Sequence, residues 1–256
     1  TLNVFRGLRN AVCRSQATVD TQEFTLQTID LVSRYSPTRH KGKASALLKF
    51  YNDQTAPSHL VSQLAKAYHL DHEIGCNPLT RHPSITHAWS TDARDSYFRV
   101  GQASSWDWHG RSFLQTPRDP TEIYSRLRYA IESAKTDIHN ESFAFMMLPI
   151  PQNQSWSKLL DDPLVQIIAQ CPIQKKGLRW TFPTAWTGES HELEAESKWK
   201  TQAAQLVVIC NHTVAHRVGF RNWELAREAW AAECTRQSAT AVYPTGPRSV
   251  AASPSP

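Results

Sequence analysis

Two segments of the chain are almost continuously apolar. Ser142 is followed by the run Phe143–Leu148, and a second apolar segment covers Ala204–Cys210. An apolar run without alternation is typical of a strand that is covered on both faces, as at the centre of a parallel sheet. Both segments are far shorter than the roughly 20 apolar residues that a membrane helix needs. We therefore predict two buried strands and no membrane span.

Shorter patterns predict further elements. Strand candidates are Arg111–Leu114 and the alternating residues Leu178, Trp180 and Phe182. Helical spacing of apolar residues predicts helices over residues 24–35, 44–51, 60–68, 120–136, 162–168 and 221–234. Ser58 is a candidate N-cap for the third of these helices. Asp119, Pro120 and Glu122 combine a cap, a first-turn proline and a capping-box carboxylate.

Strand and helix signals alternate from about Ile74 onwards. This alternation predicts an α/β fold, with a parallel-rich sheet and helices on both of its faces. In such sheets ligands bind beyond the carboxyl ends of the strands, so we expect a site just after Leu114, Leu148 and Cys210. We divide the chain into a helical lobe (1–73), an α/β domain (74–236) and an extended Pro/Ser/Ala-rich tail (237–256).

Composition and charge narrow the class of protein. The 256 residues are 40% hydrophobic and 20% charged, which excludes a disordered tail. The net charge of +5 favours polyanionic partners without identifying one. Five dispersed cysteines form no C-x-x-C pair, which disfavours a disulfide framework or a structural zinc site. The chain starts at Thr1 without a secretory pattern. We expect a part of a longer intracellular protein, nuclear or cytoplasmic and not secreted.

Several familiar motifs are missing from the sequence. It has no G-x-G-x-x-G, no G-x-x-x-x-G-K-[ST] and no G-x-S-x-G, so ordinary dinucleotide binding, a P-loop and a nucleophile elbow are unsupported. His212 and His216 are four residues apart but lack a third metal ligand, and we interpret them as a polar loop. The group His69, Asp71, His72 and Glu73 is interpreted as a solvated helix end. We predict no metal site.

A charged run near residue 195 leaves one enzymatic alternative open. Its members are Glu192, Glu194, Glu196 and Lys198. An E-x-K pair on a strand can hold a metal ion and a catalytic lysine, as in metal-dependent nucleases. Because this run is polar throughout, a solvated charged face is the simpler interpretation.

Several stretches between Ile74 and Trp223 share their order and spacing with a known family. They are Gly75–Leu79, Arg94–Phe98, Gly110–Pro117, Ser142–Pro149, and Ala204–Cys210 followed by Val218–Trp223. Together they resemble the methyltransferase domain of the phosphorylated-CTD-interacting-factor family, the WW-domain cap-adenosine N6-methyltransferases. The stretch Gly110–Pro117 takes the place of the family's G-S-F-x-x-N-P-P-F. The resemblance implies a Rossmann-like methyltransferase sheet that binds S-adenosyl-L-methionine and acts on adenine in nucleic acid, RNA rather than DNA.

The resemblance also implies roles for single residues. The expected catalytic loop is Gln115, Thr116, Pro117 and Arg118. The expected cofactor-binding residues are Asn77, Pro78, Asp95 and Phe98. Each of these has a plainer interpretation, since Asn77 before Pro78 is a common turn start, Asp95 can cap a helix and Phe98 can be core.

Basic and aromatic residues near this loop are candidate contacts to nucleic acid. They are Arg81, Arg99, Arg111, Trp106 and Trp108. Arginine is suited to phosphate, and an aromatic ring can stack on a base. Scattered surface charge and burial at the sheet edge are the alternatives.

The expected catalytic loop departs from the family pattern. Gln115 stands in place of asparagine, Thr116 in place of the first proline, and Arg118 in place of the aromatic residue. Glutamine is one methylene longer than asparagine, and a misplacement of about 1 Å costs roughly 100-fold in rate. The sequence therefore leaves two alternatives: a weakened adenine methyltransferase, or a catalytically inactive module that binds nucleic acid, a partner subunit or a neighbouring domain.

Overall fold

The structure is a computed structural model that describes residues 6, 8–10, 12, 19–35, 56–78, 80–102, 110–116, 120–136, 142–151, 154–170, 181–183, 190–192, 204–211 and 223–242. Helices in these ranges are α1 (Thr21–Tyr35), α2 (Ser58–Tyr68), α3 (Pro120–Thr136) and α4 (Glu224–Val242), with 3-10 helices at Ala93–Phe98 and Ser155–Asp161. The strands are β1 (His72–Ile74), β2 (His87–Ser90), β3 (Gly101–Gln102), β4 (Arg111–Leu114), β5 (Phe143–Pro149), β6 (Val165–Gln170), β7 (Thr181–Pro183), β8 (Ser190–Glu192) and β9 (Ala204–Cys210).

Most of these strands form one mixed sheet. Its seven strands follow the order β3-β2-β1-β4-β5-β9-β6. The strands from β3 to β5 are parallel to their neighbours, whereas β9 is antiparallel to both β5 and β6. Strands β7 and β8 form a separate antiparallel pair. The prediction of an α/β class with a mostly parallel sheet is confirmed.

The core lies on both faces of β5 and β9, as the two apolar runs predict. Along β5, Phe143, Phe145 and Met147 pack on one face with α2 and α4. The alternate residues Ala144, Met146 and Leu148 pack on the other face with α3. Every residue from Phe143 to Leu148 is buried, because side chains on both faces of the strand are covered by helices.

Helix α2 is part of this core although it was assigned to the amino-terminal lobe. Its Leu60, Leu64 and Tyr68 belong to the same buried cluster as the sheet. The Tyr68 hydroxyl accepts a hydrogen bond from the backbone N–H of Ala226 at 3.0 Å, which satisfies a donor in the first turn of α4. The expected boundary between residues 73 and 74 falls inside β1.

Helix α1 packs on the other end of the sheet order. Leu31 of α1 forms a small apolar cluster with Leu8, Val12 and Phe98, the last residue of the first 3-10 helix. Phe24 adds an edge-to-face contact with Phe98 at 6.4 Å between ring centroids. The helix therefore covers the connection between β2 and β3.

The predicted helix over residues 162–168 is wrong, because β6 occupies Val165–Gln170. The Asp162 carboxylate accepts the N–H of Leu164 at 2.9 Å and forms a turn instead of starting a helix. Val165 and Ile168 are both buried, three residues apart as on a helix face. A register shift between Ile167 and Ala169 produces this spacing within a strand.

Other boundaries also differ from the predictions. Helix α4 continues to Val242, so residues 237–242, which were assigned to the extended tail, are helical, and the rest of that tail lies outside the described residues. Ser58 does not cap α2: the cap position is Pro57, and the Ser58 hydroxyl lies 3.1 Å from His82 Nε2. The predicted helix over 44–51 and the residues Leu178 and Trp180 lie outside the described residues. Within the described ranges, no helix has the length and apolarity that a membrane span requires.

Candidate functional site

The strand order reverses between β1 and β4, and a cluster of polar residues lies at this point. The cluster, which we call the carboxyl-edge cluster, comprises Glu73, Gly75, Asp92, Gln115 and Arg126. Glu73 is in β1, Gly75 follows β1, Asp92 follows β2, Gln115 follows β4 and Arg126 is in α3. A crevice at such a switch point is where open α/β sheets bind ligands.

Glu73 is a fully buried carboxylate at the centre of this cluster. Its Oε1 accepts the Gln115 side-chain N–H at 2.6 Å, and its Oε2 accepts the backbone N–H of His82 at 2.6 Å. Burial raises the pKa of Glu73 to about 7, although the bonds from His82 and Gln115 and the charge of Arg81 oppose this shift. A buried group that titrates near neutrality is a mark of a functional site.

The side chain of Gln115 is held at both ends. Its amide donates to Glu73, and its Oε1 accepts the backbone N–H of Ala56 at 3.2 Å, just before α2. The next residue, Thr116, is buried and its hydroxyl donates to the Met147 carbonyl of β5. These two predicted catalytic residues are therefore at the expected edge but bind the protein interior. Pro117 and Arg118 lie outside the described residues.

Arg126 fills the space between the ends of β1 and β4. Its Nη1 donates to the Gln115 carbonyl at 2.5 Å. A Cβ atom placed on Gly75 would lie 2.1 Å from the same nitrogen. Gly75 also has a φ of +81°, which side chains rarely tolerate. The turn after β1 thus requires glycine for its own conformation and for the approach of Arg126.

Two aspartates after β2 are bound by arginines. Asp92 accepts the backbone and side-chain N–H groups of Arg94, and these side-chain bonds hold the pKa of Asp92 well below its usual range. Arg34 of α1 reaches Asp92 at 3.1 Å and the fully buried Asp95 at 2.7 Å. The Ser90 hydroxyl donates to the other oxygen of Asp95 at 2.5 Å.

The expected cofactor-binding residues do not converge on one cavity wall. Asn77 is buried and its side-chain oxygen accepts the backbone N–H of Thr80 at 3.0 Å, as in a turn that starts at Asn77 and contains Pro78. Asp95 is occupied by Arg34. Phe98 is in the apolar cluster under α1. The plainer interpretations given above describe Asn77 and Phe98 in this structure.

The arginines expected to bind nucleic acid are also separated. Arg111 lies at the amino end of β4, opposite to Gln115, and its guanidinium lies 5.9 Å from the centre of the Phe143 ring. Arg81 donates to the Thr86 carbonyl at 2.9 Å. Arg99 is exposed after the first 3-10 helix. Trp106 and Trp108 lie outside the described residues.

The remaining candidate groups are the residues His69–Glu73, the possible metal ligands and the charged run near residue 195. The group His69, Asp71, His72 and Glu73 is not a solvated helix end, because His72 and Glu73 are buried in β1. In the part of the chain that the structure describes, no group of three or more side chains is arranged to hold a metal ion. His212, His216, Glu194, Glu196 and Lys198 are outside that part, and Glu192 ends β8.

The end of β9 does not contribute to the site. We expected the residues after Cys210 to join those after Leu114 and Leu148. Because β9 is antiparallel to β5, its carboxyl end lies at the opposite edge of the sheet. Asn211 accordingly donates to the carbonyl of Ala134, near the end of α3, at 3.4 Å.

Sequence reasoning missed most of the carboxyl-edge cluster. A usable signal was present: Gly75 just after an apolar residue, and an acidic residue at Asp92, near the roughly 20-residue spacing of nucleotide-binding βαβ units. No protein-family model matches this chain, and no curated protein matches it in sequence. Its function must therefore be argued from the sheet and the cluster.

Proposed function

We propose that this chain is an S-adenosyl-L-methionine-dependent, methyltransferase-like domain of the adenine-N6 type that acts with nucleic acid. The observation that carries the proposal is the strand order. A reversed strand between the fifth and last positions of an otherwise parallel sheet, here β9 between β5 and β6, is typical of Rossmann-like methyltransferases. The candidate site lies where that order reverses direction.

The chemistry of the carboxyl-edge cluster fits this cofactor. Gly75 provides a turn without a side chain, which allows a ligand to approach the backbone closely. Asp92 would accept hydrogen bonds from sugar hydroxyls, the usual role of an acid after the second strand. The Glu73 carboxylate accepts a hydrogen bond from the Gln115 side chain and so fixes the position of Gln115. When bound, the cofactor supplies a methyl group activated by a sulfonium centre.

One observation favours the weakened or inactive form of this function. An adenine amine is a weak nucleophile, and the family resemblance implies that an amide oxygen at position 115 directs it. In this chain the Gln115 oxygen already accepts the Ala56 N–H, and its amide nitrogen donates to Glu73. Gln115 therefore holds the interior together. We infer that the domain serves as a nucleic-acid-binding or partner module, with little or no methyl transfer.

The partner is argued from charge and from the family resemblance. The net charge is +5, and Arg94 and Arg99 are exposed beside the first 3-10 helix. Exposed arginine is suited to phosphate, so nucleic acid is the proposed partner, RNA before DNA. A partner subunit or a neighbouring domain of a longer intracellular protein belongs to the same proposal. The nuclease alternative stays a prediction, because Glu194, Glu196 and Lys198 lie outside the described residues.

Calorimetry with S-adenosyl-L-methionine and a methyl-transfer assay on adenosine-containing RNA and DNA test the proposal together. We expect binding of the cofactor without appreciable transfer by the wild-type chain. The double variant Gln115→Asn, Arg118→Phe should gain transfer to adenine if the loop is a degenerate form of the family's. If the wild type transfers methyl groups and Gln115→Ala retains full activity, the assignment of the loop is wrong. Absence of cofactor binding at millimolar concentration would refute the methyltransferase-like function.

A further inference from the structure

We propose that Arg126 closes the crevice between the ends of β1 and β4, and that S-adenosyl-L-methionine binds only after this guanidinium has been displaced. The inference rests on the proposed function, because it concerns the ligand of that same site. In the closed state, the Arg126 side chain occupies the place of the methyl donor.

The position of the guanidinium carries the first step. Its Nη1, Cζ and Nη2 atoms lie 2.1, 2.8 and 3.3 Å from the point where a Cβ on Gly75 would be. The same Nη1 donates to the carbonyl of Gln115, the residue that follows β4. The group therefore spans from the turn after β1 to the end of β4. A ligand that uses the Gly75 turn would overlap with it.

The polar groups at the same edge of the sheet are also bound to the protein itself. The Gln115 side chain is shared between Glu73 and Ala56. Asp92 is held by Arg34 and Arg94. Hydrogen bonds that involve a charged group are stronger than neutral ones. A ligand that competes with Arg126 must break such a bond, and this cost lowers the apparent affinity of the ligand.

Outside the crevice, the Arg126 side chain can form an ion pair with Glu122. It is located in α3, one turn after Glu122, and its Nη2 already lies 3.7 Å from the Glu122 carboxylate. The Glu122 side chain is 50% exposed, whereas that of Arg126 is 19% exposed. A swing of the flexible arginine toward Glu122 would open the crevice and keep an ion pair at the surface. The two positions give the site a closed and an open state.

The direct test is the affinity of S-adenosyl-L-methionine for Arg126→Met, measured by calorimetry at fixed salt. Methionine keeps much of the aliphatic stem and removes the donors. We expect binding at least about tenfold tighter than in the wild type, because one charge-assisted hydrogen bond no longer competes. The matched control is Arg128→Met, an exposed arginine of the same helix, whose affinity should stay within about twofold of the wild type.

Equal or weaker binding by a folded Arg126→Met would overturn the inference, since Arg126 would then be neutral or a ligand contact. If neither the wild type nor the variant binds the cofactor, the proposed function fails and the inference fails with it. Thermal melting of each variant checks folding. Should Arg126→Met not fold, Arg126→Lys keeps the charge but not the planar fork. Binding by Arg126→Lys tighter than in the wild type supports the closed state, and unchanged or weaker binding contradicts it.

Discussion

The two ends of the β1–β4 pair differ in how their polar residues are held. At the amino edge the contacts are close to the strands: Asp71 accepts the backbone N–H of Arg111 at 2.7 Å, and His72 stacks on His87 at 5.1 Å between centroids. At the carboxyl edge the partners come from helices. Asp92 and Asp95 meet Arg34 of α1, and Gln115 meets Arg126 of α3.

This difference agrees with the proposed location of the functional site at the carboxyl edge. Burying a carboxylate such as Glu73 or Asp95 costs free energy unless other groups compensate it. Within the described residues, the fold places α1, α3 and Ala56, just before α2, near such groups at the carboxyl edge. Polar contacts at the other edge close the ends of strands at little cost. Substitutions at the carboxyl edge should therefore have larger and more pH-dependent effects than substitutions at the amino edge.

The largest effect is expected for Arg34→Met. Its side chain is 6% exposed and pairs with Asp95, which is fully buried. Removal takes away the cation that pairs with this buried carboxylate, and the free energy of unfolding should fall by about 3–5 kcal/mol in urea titrations. Arg94→Met is the control: this arginine also pairs with Asp92 but is 57% exposed, so its loss should cost less than about 1 kcal/mol. Equal losses for both variants would contradict the comparison.

A smaller effect, with a defined pH dependence, is expected for Glu73. Since burial raises its pKa from 4.5 to about 7, the folded state favours the protonated form. The stability that this group contributes is fully present below about pH 4.5 and is lost as the pH rises through about 7. Between pH 5 and pH 8 the wild type should lose about 2 kcal/mol more than Glu73→Gln in urea titrations. Parallel pH profiles of the two proteins would show that Glu73 does not titrate in this range.

Arg111→Ala tests the amino edge. The guanidinium donates to the Tyr68 carbonyl at 3.3 Å and lies over the Phe143 ring. Losing these contacts should cost about 1 kcal/mol of unfolding free energy and leave cofactor affinity unchanged. Arg111→Lys, which keeps a cation near the ring, should lose less. A loss as large as that of Arg34→Met would remove the distinction between the edges.

The smallest effect is expected for His87→Ala. His87 is exposed and stacks on His72 at the amino edge. Its removal should change the free energy of unfolding by no more than about 0.5 kcal/mol. Thermal or urea denaturation at pH 7.5 provides the measurement. A loss above 1 kcal/mol would mean that this edge is also energetically important.

Local patterns predicted much of the fold. The apolar runs predicted β5 and β9, and Pro120 with Glu122 predicted the start of α3, because strand burial and helix capping act between near neighbours. Strand β1 was missed, since three residues are too short to show a period and two of them are polar. The expected direction of β9 was wrong, because the direction depends on the residues that precede the strand and on the position of β6.

For Gln115, the position in the sheet was predicted but the orientation of the side chain was not. Gln115 lies at the carboxyl edge as expected. Its side chain turns inward because its partners, Glu73 and Ala56, are 42 and 59 positions away in the sequence. Contacts at such separations leave no local pattern. Arg126 was not recognised for the same reason. The sequence pattern around it predicts helix α3 but gives no sign of its contact with the Gly75 turn.

The hydrogen bond from Ala226 to the Tyr68 hydroxyl has a practical consequence. The first turn of α4 is completed by a side chain 158 positions earlier, so the stabilities of α2 and α4 are linked. We expect a recombinant fragment that starts at residue 74 to lose this cap together with most of the first strand. A truncation meant to fold autonomously should retain α1, whose Arg34 pairs with the buried Asp95, as well as everything from Ala56 through α4.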